Sequence, residues 1–254
     1  MSGNLDSEQQ VQEDQYEFPY HYIPSFEDGF SQARHWWWGF RYLGGIKVLF
    51  DMLSDMEFER LIDVGCGDGR VLRELSEEYP SVDMIGVDYS ERAIELANAL
   101  NPDLDFRTTD IRTVDFESRF DIATAVEVLE HIPPDDLDSF VASISDTLVK
   151  DGSFIATVPH SNTSVNPKHY QHFSETKLRD TLSPHFENVE TIPIDARRKS
   201  LSLLQKLIGG HGNYFLITNP YLLSLFFNVY KKFYLYTSEQ YCGRLAAICH
   251  KQSA

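Results

Sequence analysis

The stretch Arg60-Leu61-Ile62-Asp63-Val64-Gly65-Cys66-Gly67-Asp68-Gly69-Arg70 decides the fold. Its branched apolar residues are typical of a buried parallel strand. Glycine lets the chain turn sharply and approach a ligand where a Cβ would clash. A helix that begins after such a turn points its free N–H groups at that ligand. The stretch therefore predicts a strand, loop and helix that bind a nucleotide-type cofactor.

The spacing of the glycines narrows the class of cofactor. Gly65, Gly67 and Gly69 follow the pattern G-x-G-x-G, whereas dinucleotide-binding loops have G-x-G-x-x-G and place a pyrophosphate at the helix N-terminus. Acids at Asp63 and Asp68 would also repel phosphate. The loop is therefore predicted to bind a cofactor without a pyrophosphate at this point.

Three further strands follow at regular spacing. Residues 84–88 read as a second strand that ends at Asp88, an acid placed to bind both hydroxyls of a ribose. Residues 104–108 form a third strand leading to Asp110 and Ile111, and residues 120–126 a fourth that leads into the segment from Glu127 to Pro133. Strands that alternate with helical segments predict an α/β fold with a parallel sheet.

These motifs resemble those of the class I S-adenosylmethionine-dependent methyltransferases, over about residues 60–189. The resemblance implies a Rossmann-like, seven-stranded, mostly parallel sheet with an antiparallel last strand and helices on both faces. It implies S-adenosyl-L-methionine as the cofactor, with Asp110 and Ile111 reading the adenine and Arg41 holding the methionine carboxylate. The implied cofactor-binding residues are Arg41, Asp63, Gly65, Cys66, Gly67, Gly69, Asp88, Tyr89, Asp110, Ile111 and Glu127.

The chain is predicted to divide into five parts. These are a disordered acidic tail (1–16), an N-terminal helical lid (17–58), the cofactor-binding core (59–194), a helical aromatic and basic insertion (195–243) and the last strand (244–254). The apolar run 219–236 in the insertion allows three interpretations: a substrate-covering lid, a membrane-surface helix, and an ordinary buried helix or dimer contact.

Charge and cysteine content restrict the partners and the compartment. The chain has a formal net charge of −17, although residues 195–254 contain eight Lys or Arg and two acids. Because so acidic a body repels a polyanion, nucleic acid is not the expected partner. The three cysteines are too scattered for a disulfide framework, which favours a reducing, cytoplasmic compartment. The expected partner is a small-molecule or lipid-linked glycan acceptor. A peripheral contact of residues 219–236 with the inner face of the cell membrane is a further option.

Histidines supply the candidate catalytic groups. His131 follows the fourth strand, and His169 and His172 follow the fifth, so any of them would face the substrate and take its proton. Trp37 and Trp38 would stack on a sugar face or close the crevice, and His160 and Tyr170 are the other candidate substrate contacts.

Glu127, Glu130 and His131 with a later histidine resemble the metal site of small-RNA 3′-end 2′-O-methyltransferases and a related arrangement in ubiquinone-pathway O-methyltransferases. We assign no metal ligand from sequence and keep Mg or Mn as an option. The predicted activity is O-methylation of a hydroxyl on a sugar, a lipid-linked glycan or another small molecule. The alternatives are N-methylation of an amino sugar or small amine, a quinone-type or metal-dependent 2′-O-methyltransferase, and an inactive cofactor-binding interaction module.

Overall fold

The computed structural model describes residues 33–165, 167–208 and 219–251. The helices are α1 (Ala33–Leu53), α2 (Arg70–Glu78), α3 (Glu91–Leu100), α4 (Leu137–Thr147), α5 (Glu175–Leu182), α6 (Lys199–Ile208) and α7 (Pro220–Phe233). The strands are β1 (Arg60–Val64), β2 (Asp83–Asp88), β3 (Asp105–Thr108), β4 (Phe120–Val126), β5 (Leu148–Pro159), β6 (Phe186–Ala196) and β7 (Cys242–Lys251). Short 3₁₀ turns occupy Leu129–His131 and Glu239–Tyr241.

The strands form one seven-stranded sheet in the order β3-β2-β1-β4-β5-β7-β6. β1 to β5 pair in parallel, and β7 is antiparallel to both β5 and β6. The strand order reverses between β1 and β4, and in such sheets a ligand binds in the crevice beyond the carboxyl ends of those strands. The predicted fold class, including the antiparallel last strand, is confirmed.

Alternate residues of β1 pack against opposite layers of helices. Ile62 lies in the cluster that contains residues of α4 and α5, whereas Leu61 lies in the cluster with residues of α1, α2 and α3. Both side chains are fully buried, which explains why β1 reads as a continuous apolar run. Helices therefore cover both faces of the sheet, as predicted.

Pairing within the sheet sets the boundaries of two elements. α4 ends at Thr147 because Leu148 already pairs with Phe120 as the first residue of β5. Asp151, with a φ of 64°, and Gly152 lie at an irregularity of β5, between its pairs with Phe120 and Ile122. β7 starts at Cys242, two residues before the predicted boundary. The predicted tail (1–16) and part of the predicted lid (17–32) lie outside the described residues.

The insertion contributes two helices that pack on α1 and the last strands. Asn219 caps α7 by accepting from the N–H groups of Tyr221 and Leu222, and Pro220 occupies its first turn. On the inner face of α7, Tyr230 is fully buried in a cluster with residues of α1, β6 and β7. The outer face leaves Tyr221 84% exposed. No helix among the described residues has the length and apolarity required to cross a membrane, and the membrane-surface interpretation stays a prediction.

A buried ion-pair network joins the elements of the insertion to the sheet. Asp195, at the end of β6, accepts hydrogen bonds from Arg244 on β7, Tyr230 on α7 and Arg41 on α1. Burial acts to raise the pKa of Asp195, but the charges of Arg244 and Arg41 hold it below its ordinary value. Asp195 has a φ of 62°, a conformation that Asp and Asn tolerate better than most residues.

Replacement of Asp195 by asparagine tests how much this network stabilises the fold. Asparagine keeps the shape and tolerates the backbone conformation, but it leaves the buried Arg244 charge without its main counter-ion. We expect the free energy of unfolding to fall by about 3 kcal/mol in urea titrations. The matched control is Asp83→Asn, which removes an exposed ion pair with Arg60 and is expected to cost less than about 1 kcal/mol. Equal losses in the two variants would contradict a special role of the network.

Candidate active site

A cavity of about 590 Å³ lies beyond the carboxyl ends of β1, β2, β4 and β5. This is the edge where the strand order reverses. Of the predicted cofactor-binding residues, those that line it are Arg41, Asp63, Gly65, Cys66, Gly67, Asp88, Tyr89, Asp110, Ile111 and Glu127. The predicted catalytic residues His131, His169 and His172 line the same cavity. The structure thus places cofactor-binding and catalytic candidates in one crevice.

The glycine loop needs glycine for conformation and for space. Gly65 and Gly67 have φ angles of 72° and 54°, in the left-handed region that glycine adopts without strain. A Cβ on Gly65 would lie 2.6 Å from a methyl carbon of Val128. The Gly67 amide donates to Asp88 at 3.0 Å, which ties the loop to the end of β2.

Gly69 has a different role from the one predicted. It does not line the cavity, and it precedes α2 with a φ of 77°. A Cβ at this position would lie 2.5 Å from the ring of Phe106. Gly69 therefore serves the turn into α2 and the packing of that turn against β3.

Asp88 and Asp110 face the cavity with part of their hydrogen-bonding capacity in use. Asp88 accepts from the amides of Gly67 and Ser90, which orients its carboxylate at the end of β2. Burial acts to raise the pKa of Asp110, but its contacts with Arg112 hold it below its ordinary value. Carboxylates of this kind accept hydrogen bonds from ligand hydroxyl or amino groups.

Asp63 is a buried carboxyl group with one unpartnered oxygen. It is 1% exposed; Thr124 donates to its Oδ1 at 2.6 Å, and its Oδ2 has no partner among the described residues. Burial raises the pKa of Asp63 to about 7, and the charge of Asp88 adds to this effect. A cation bound in the cavity would stabilise the ionised form.

Three histidines from two loops meet at one edge of the cavity. His131 ends the turn after β4, whereas His169 and His172 lie between β5 and α5. The ring centroids of His131 and His169 are 4.7 Å apart, and those of His169 and His172 are 5.1 Å apart. The three predicted catalytic side chains are therefore neighbours.

Hydrogen bonds define which ring nitrogens carry protons. His131 Nδ1 lies 2.9 Å from the carbonyl oxygen of Lys168, which can only accept, so Nδ1 is protonated and Nε2 keeps a lone pair. His172 Nδ1 likewise donates, because it faces the Thr163 carbonyl oxygen at 3.1 Å. His172 Nε2 then accepts from His169 Nδ1 at 2.9 Å. This arrangement leaves lone pairs on Nε2 of both His131 and His169.

His131 and His169 are neutral and weakly basic. Burial lowers the pKa of His131 to about 4 and that of His169 to about 3. A general base works best when its pKa lies near the working pH. With such low pKa values, the two imidazoles are well suited to accept a hydrogen bond or to bind a metal ion. They are poorly suited to remove a proton from a hydroxyl without help.

Glu130 completes a cluster of potential ligand atoms. It is 1% exposed, its Oε1 lies 3.9 Å from His131 Nε2, and its Oε2 has no partner among the described residues. Burial and the charge of Glu127 raise the pKa of Glu130. One donor atom each from Glu130, His131 and His169 lies within 4.8 Å of the other two. A buried carboxylate and two imidazole lone pairs fit a divalent cation.

Glu127 adjoins this cluster in a strained conformation. Its φ is 59°, and its Oε1 accepts from Thr157 Oγ1 at 2.9 Å. The guanidinium of Arg244 lies 3.7 Å from the same oxygen. Strained non-glycine residues concentrate at functional sites because the surrounding structure holds them there.

Comparison with known proteins agrees with this geometry. Residues 61–152 match a protein family described as "Methyltransferase domain". Residues 61–152 therefore carry a methyltransferase domain. The methyltransferase resemblance inferred from the glycine loop and the strand ends is thereby confirmed. The matched segment extends from β1 into β5.

Sequence relatives of the methyltransferase domain include named O-methyltransferases. The ubiquinone biosynthesis O-methyltransferase of Paracidovorax citrulli (strain AAC00-1) is 31% identical over 141 residues, covering 50% of this chain and 57% of the relative. That of Neisseria meningitidis serogroup C (strain 053442) is 31% identical over 159 residues, covering 56% and 63%. The matching part of the chain thus spans less than two thirds of either relative.

Solved structures share the fold of the methyltransferase domain. A SAM-dependent methyltransferase from Archaeoglobus fulgidus has a TM-score of 0.57 at 16% identity, covering 83% of this chain and 94% of its own. The N-methyltransferase NodS from Bradyrhizobium japonicum WM9, in complex with S-adenosyl-L-homocysteine, has a TM-score of 0.54 at 16% identity, covering 84% and 87%. At this identity the likeness concerns the fold alone.

Two of the predicted substrate contacts, His160 and Tyr170, do not line the cavity. His160 is buried, bonds Glu239 through Nε2 at 3.3 Å and accepts from the Asn162 amide through Nδ1, so it orders a loop. Tyr170 does not line the cavity, although its amide donates to the Glu130 carbonyl. Trp37 and Trp38 belong to α1, but their side chains lie outside the described part of the structure.

Sequence reasoning missed two cations beside the cluster of Glu130, His131 and His169. Lys168 lines the cavity, and burial lowers its pKa. Its position directly before His169 was an available signal. Arg244 also lines the cavity, but it is more than one hundred residues from Glu127 in the chain. No local pattern connects those two residues, because β7 returns to the sheet beside β5 only in the folded protein.

Asp63 generates a prediction about the pH dependence of stability. The ordinary pKa of aspartate is near 4, whereas that of Asp63 in the folded protein is about 7. Between about pH 4 and pH 7, Asp63 therefore holds a proton in the folded protein that it has released in the unfolded chain. The free energy of unfolding contributed by Asp63 therefore falls as pH rises through this window. We expect Asp63→Asn to gain stability relative to wild type between pH 5 and pH 8, measured as the difference in Tm.

The control for this measurement is Asp103→Asn, because Asp103 is exposed. Its Tm difference from wild type should be the same at both pH values. A pH-independent difference for Asp63→Asn would show that this carboxyl group titrates normally.

Proposed function

We propose that the protein transfers a methyl group from S-adenosyl-L-methionine to one hydroxyl of a small acceptor that presents two adjacent hydroxyls. The observation that carries this proposal is the convergence of Glu130, His131 and His169 within 4.8 Å at the edge of the cofactor cavity. The methyltransferase domain and the relatives named as O-methyltransferases support the reaction class.

The cavity fits the proposed cofactor by charge. The sulfonium and ammonium groups of S-adenosyl-L-methionine are cationic. They suit a site where Asp63 has a carboxylate oxygen without a partner among the described residues. Asp88 is oriented to accept from ribose hydroxyls. Arg41 lines the same cavity and would hold the methionine carboxylate through donors that its bond to Asp195 leaves available. When bound, this cofactor supplies an electrophilic methyl group that an oxygen lone pair displaces in line.

The histidine cluster would orient the acceptor for that displacement. Nε2 of His131 and Nε2 of His169 each present a lone pair, so either accepts a hydrogen bond from an acceptor hydroxyl. Such a bond directs the oxygen of the nucleophile and fixes its position, which supplies much of the rate in bimolecular transfer. Because both imidazoles are weak bases, transfer is easiest for a hydroxyl whose own pKa is low.

The same donors would alternatively hold a divalent cation, and the imidazole lone pairs would then ligate the ion in place of the hydrogen bonds to the acceptor. The unpartnered Oε2 of Glu130 and the two imidazole lone pairs are suitable donors for Mg²⁺ or Mn²⁺. Such an ion would grip two adjacent hydroxyls and lower the pKa of the one that attacks.

Two acceptor classes meet the requirement for adjacent hydroxyls. Catechol-type phenols have them and also have a low hydroxyl pKa, and the relatives named for ubiquinone biosynthesis favour this class. Sugars have them too, so the glycan acceptor expected from sequence remains a proposal. N-methylation needs no activated hydroxyl. It becomes the favoured reaction if variants of Glu130, His131 and His169 keep their activity.

Cofactor binding is tested by calorimetric titration with S-adenosyl-L-homocysteine. We expect micromolar binding to wild type and at least tenfold weaker binding to Asp88→Ala, because the variant loses the acceptor for the ribose and the tie to the glycine loop. Asp103→Ala is the control and should bind like wild type. Absence of binding to wild type would contradict the proposed function.

The cluster is tested with a catechol such as 3,4-dihydroxybenzoate and S-adenosylmethionine, with Mg²⁺ or with chelator. We expect chelator to abolish turnover and Glu130→Gln or His169→Gln to lower kcat by at least about 100-fold, with S-adenosylhomocysteine affinity unchanged. The control is His185→Gln, which alters a half-buried imidazole that is paired with Asp138 and does not line the cavity. Turnover that survives both chelator and Glu130→Gln would contradict the role of the cluster.

A further inference from the structure

A second cavity of about 640 Å³ lies beside the first, between the start of α6, the loop after β5 and the start of β7. Arg41, Thr163 and Gly243 line both cavities. The second cavity is therefore continuous with the wall of the first, and nothing in the proposed cofactor chemistry requires it.

The lining of this second cavity is cationic in an acidic protein. Among the described residues, four cationic side chains and one carboxylate line it; they are Arg41, Arg197, Arg198, Lys199 and Asp195. The carboxylate already has the buried Arg244 as its partner. The chain as a whole has a formal charge of −17, so these cations form a local exception to the surrounding charge.

Three of these cations remain available to a ligand. Arg197, Arg198 and Lys199 are exposed, and within the described ranges no carboxylate forms an ion pair with any of them. Arg197 donates to the Asn162 carbonyl oxygen, and the Arg198 guanidinium lies 5.6 Å from the centre of the Tyr241 ring. These contacts hold the two guanidinium groups at the cavity while their remaining donors face solvent.

The backbone at the start of α6 adds to the positive potential. The amides of Leu201 and Ser202 both donate to the Arg198 carbonyl oxygen, so the first turn of the helix begins at the cavity wall. Its aligned peptide dipoles place partial positive charge there. The same cavity is also lined by the neutral side chains of Ser202 and Gln240, which can donate hydrogen bonds.

Thr163 connects this cavity to the histidine cluster. Its side-chain hydroxyl lies 2.9 Å from Nδ1 of His172, and His172 in turn contacts His169. An acceptor whose reacting hydroxyl lies at His169 would extend past Thr163 into the basic cavity.

We propose that this basic cavity binds a phosphate or pyrophosphate group of the methyl acceptor. The inference rests on the proposed function, and it narrows the acceptor to a phosphorylated diol. A ligand with a single carboxylate would not neutralise the positive charge of the lining, but a dianion would. Guanidinium groups also bind phosphate oxygens in bidentate pairs. Both a lipid-linked and a nucleotide-linked sugar supply this group.

The test is titration of the full chain with inorganic pyrophosphate, in the presence of S-adenosylhomocysteine, by calorimetry. The variant is Arg197→Gln/Arg198→Gln, and the matched control is Lys231→Gln/Lys232→Gln, which removes the same charge from α7 outside the cavity. We expect wild type and control to bind alike and the arginine variant to bind at least tenfold more weakly. Unchanged S-adenosylhomocysteine affinity in both variants verifies that they are folded.

Equal weakening in the two variants, or no pyrophosphate binding by wild type, would overturn the proposal. S-adenosylhomocysteine binding without pyrophosphate binding would do so while leaving the proposed function intact. Pyrophosphate binding without S-adenosylhomocysteine binding would instead refute the proposed function and leave an anion site.

The source of the phosphate is distinguished by geranyl pyrophosphate and uridine diphosphate as competing ligands. Tighter binding of the first supports a lipid-linked acceptor, and tighter binding of the second supports a nucleotide-linked one. Binding of either that persists in the arginine variant would contradict the assignment of the site.

Discussion

The ion pair between the buried guanidinium of Arg244 and Asp195 is the interaction that holds the elements around the cavity together. The guanidinium bonds Asp195 at the end of β6, donates to the carbonyl oxygen of Arg41 on α1, and lies 3.7 Å from Glu127 beside the catalytic cluster. A buried cation is costly unless it is fully compensated. Each of these elements is therefore held to the sheet by a contact that also shapes the active site.

The site contains two buried carboxyl groups whose ionised forms a cationic ligand would stabilise. Asp63 and Glu130 are both buried, and each keeps one carboxylate oxygen without a partner among the described residues. Burial raises the pKa of both groups, which measures the free energy held in their desolvation. A cationic cofactor at Asp63 and a metal ion at Glu130 would each relieve that cost, which links stability to function at two points of one cavity.

Much of the core was predictable because it rests on local patterns. The strand ends at Asp63, Asp88 and Asp110 were found from spacing, since parallel strands bring their carboxyl ends to one edge of the sheet. The histidines were found by the same rule. The helix boundary near Leu148 was not, because the pairing of Leu148 with Phe120 is a long-range contact that propensity does not reveal.

The sequence by itself determined the fold class and the cofactor edge of this protein, because glycine conformation and strand periodicity act over a few residues. The tertiary structure alone decided which histidines meet an acid and a second histidine at the cavity. His160 bonds Glu239, whereas His169 lies with Glu130 and His131. It also decided that Arg197 and Arg198 share a cavity wall with Thr163, because side-chain proximity across such separations follows from packing and not from local pattern.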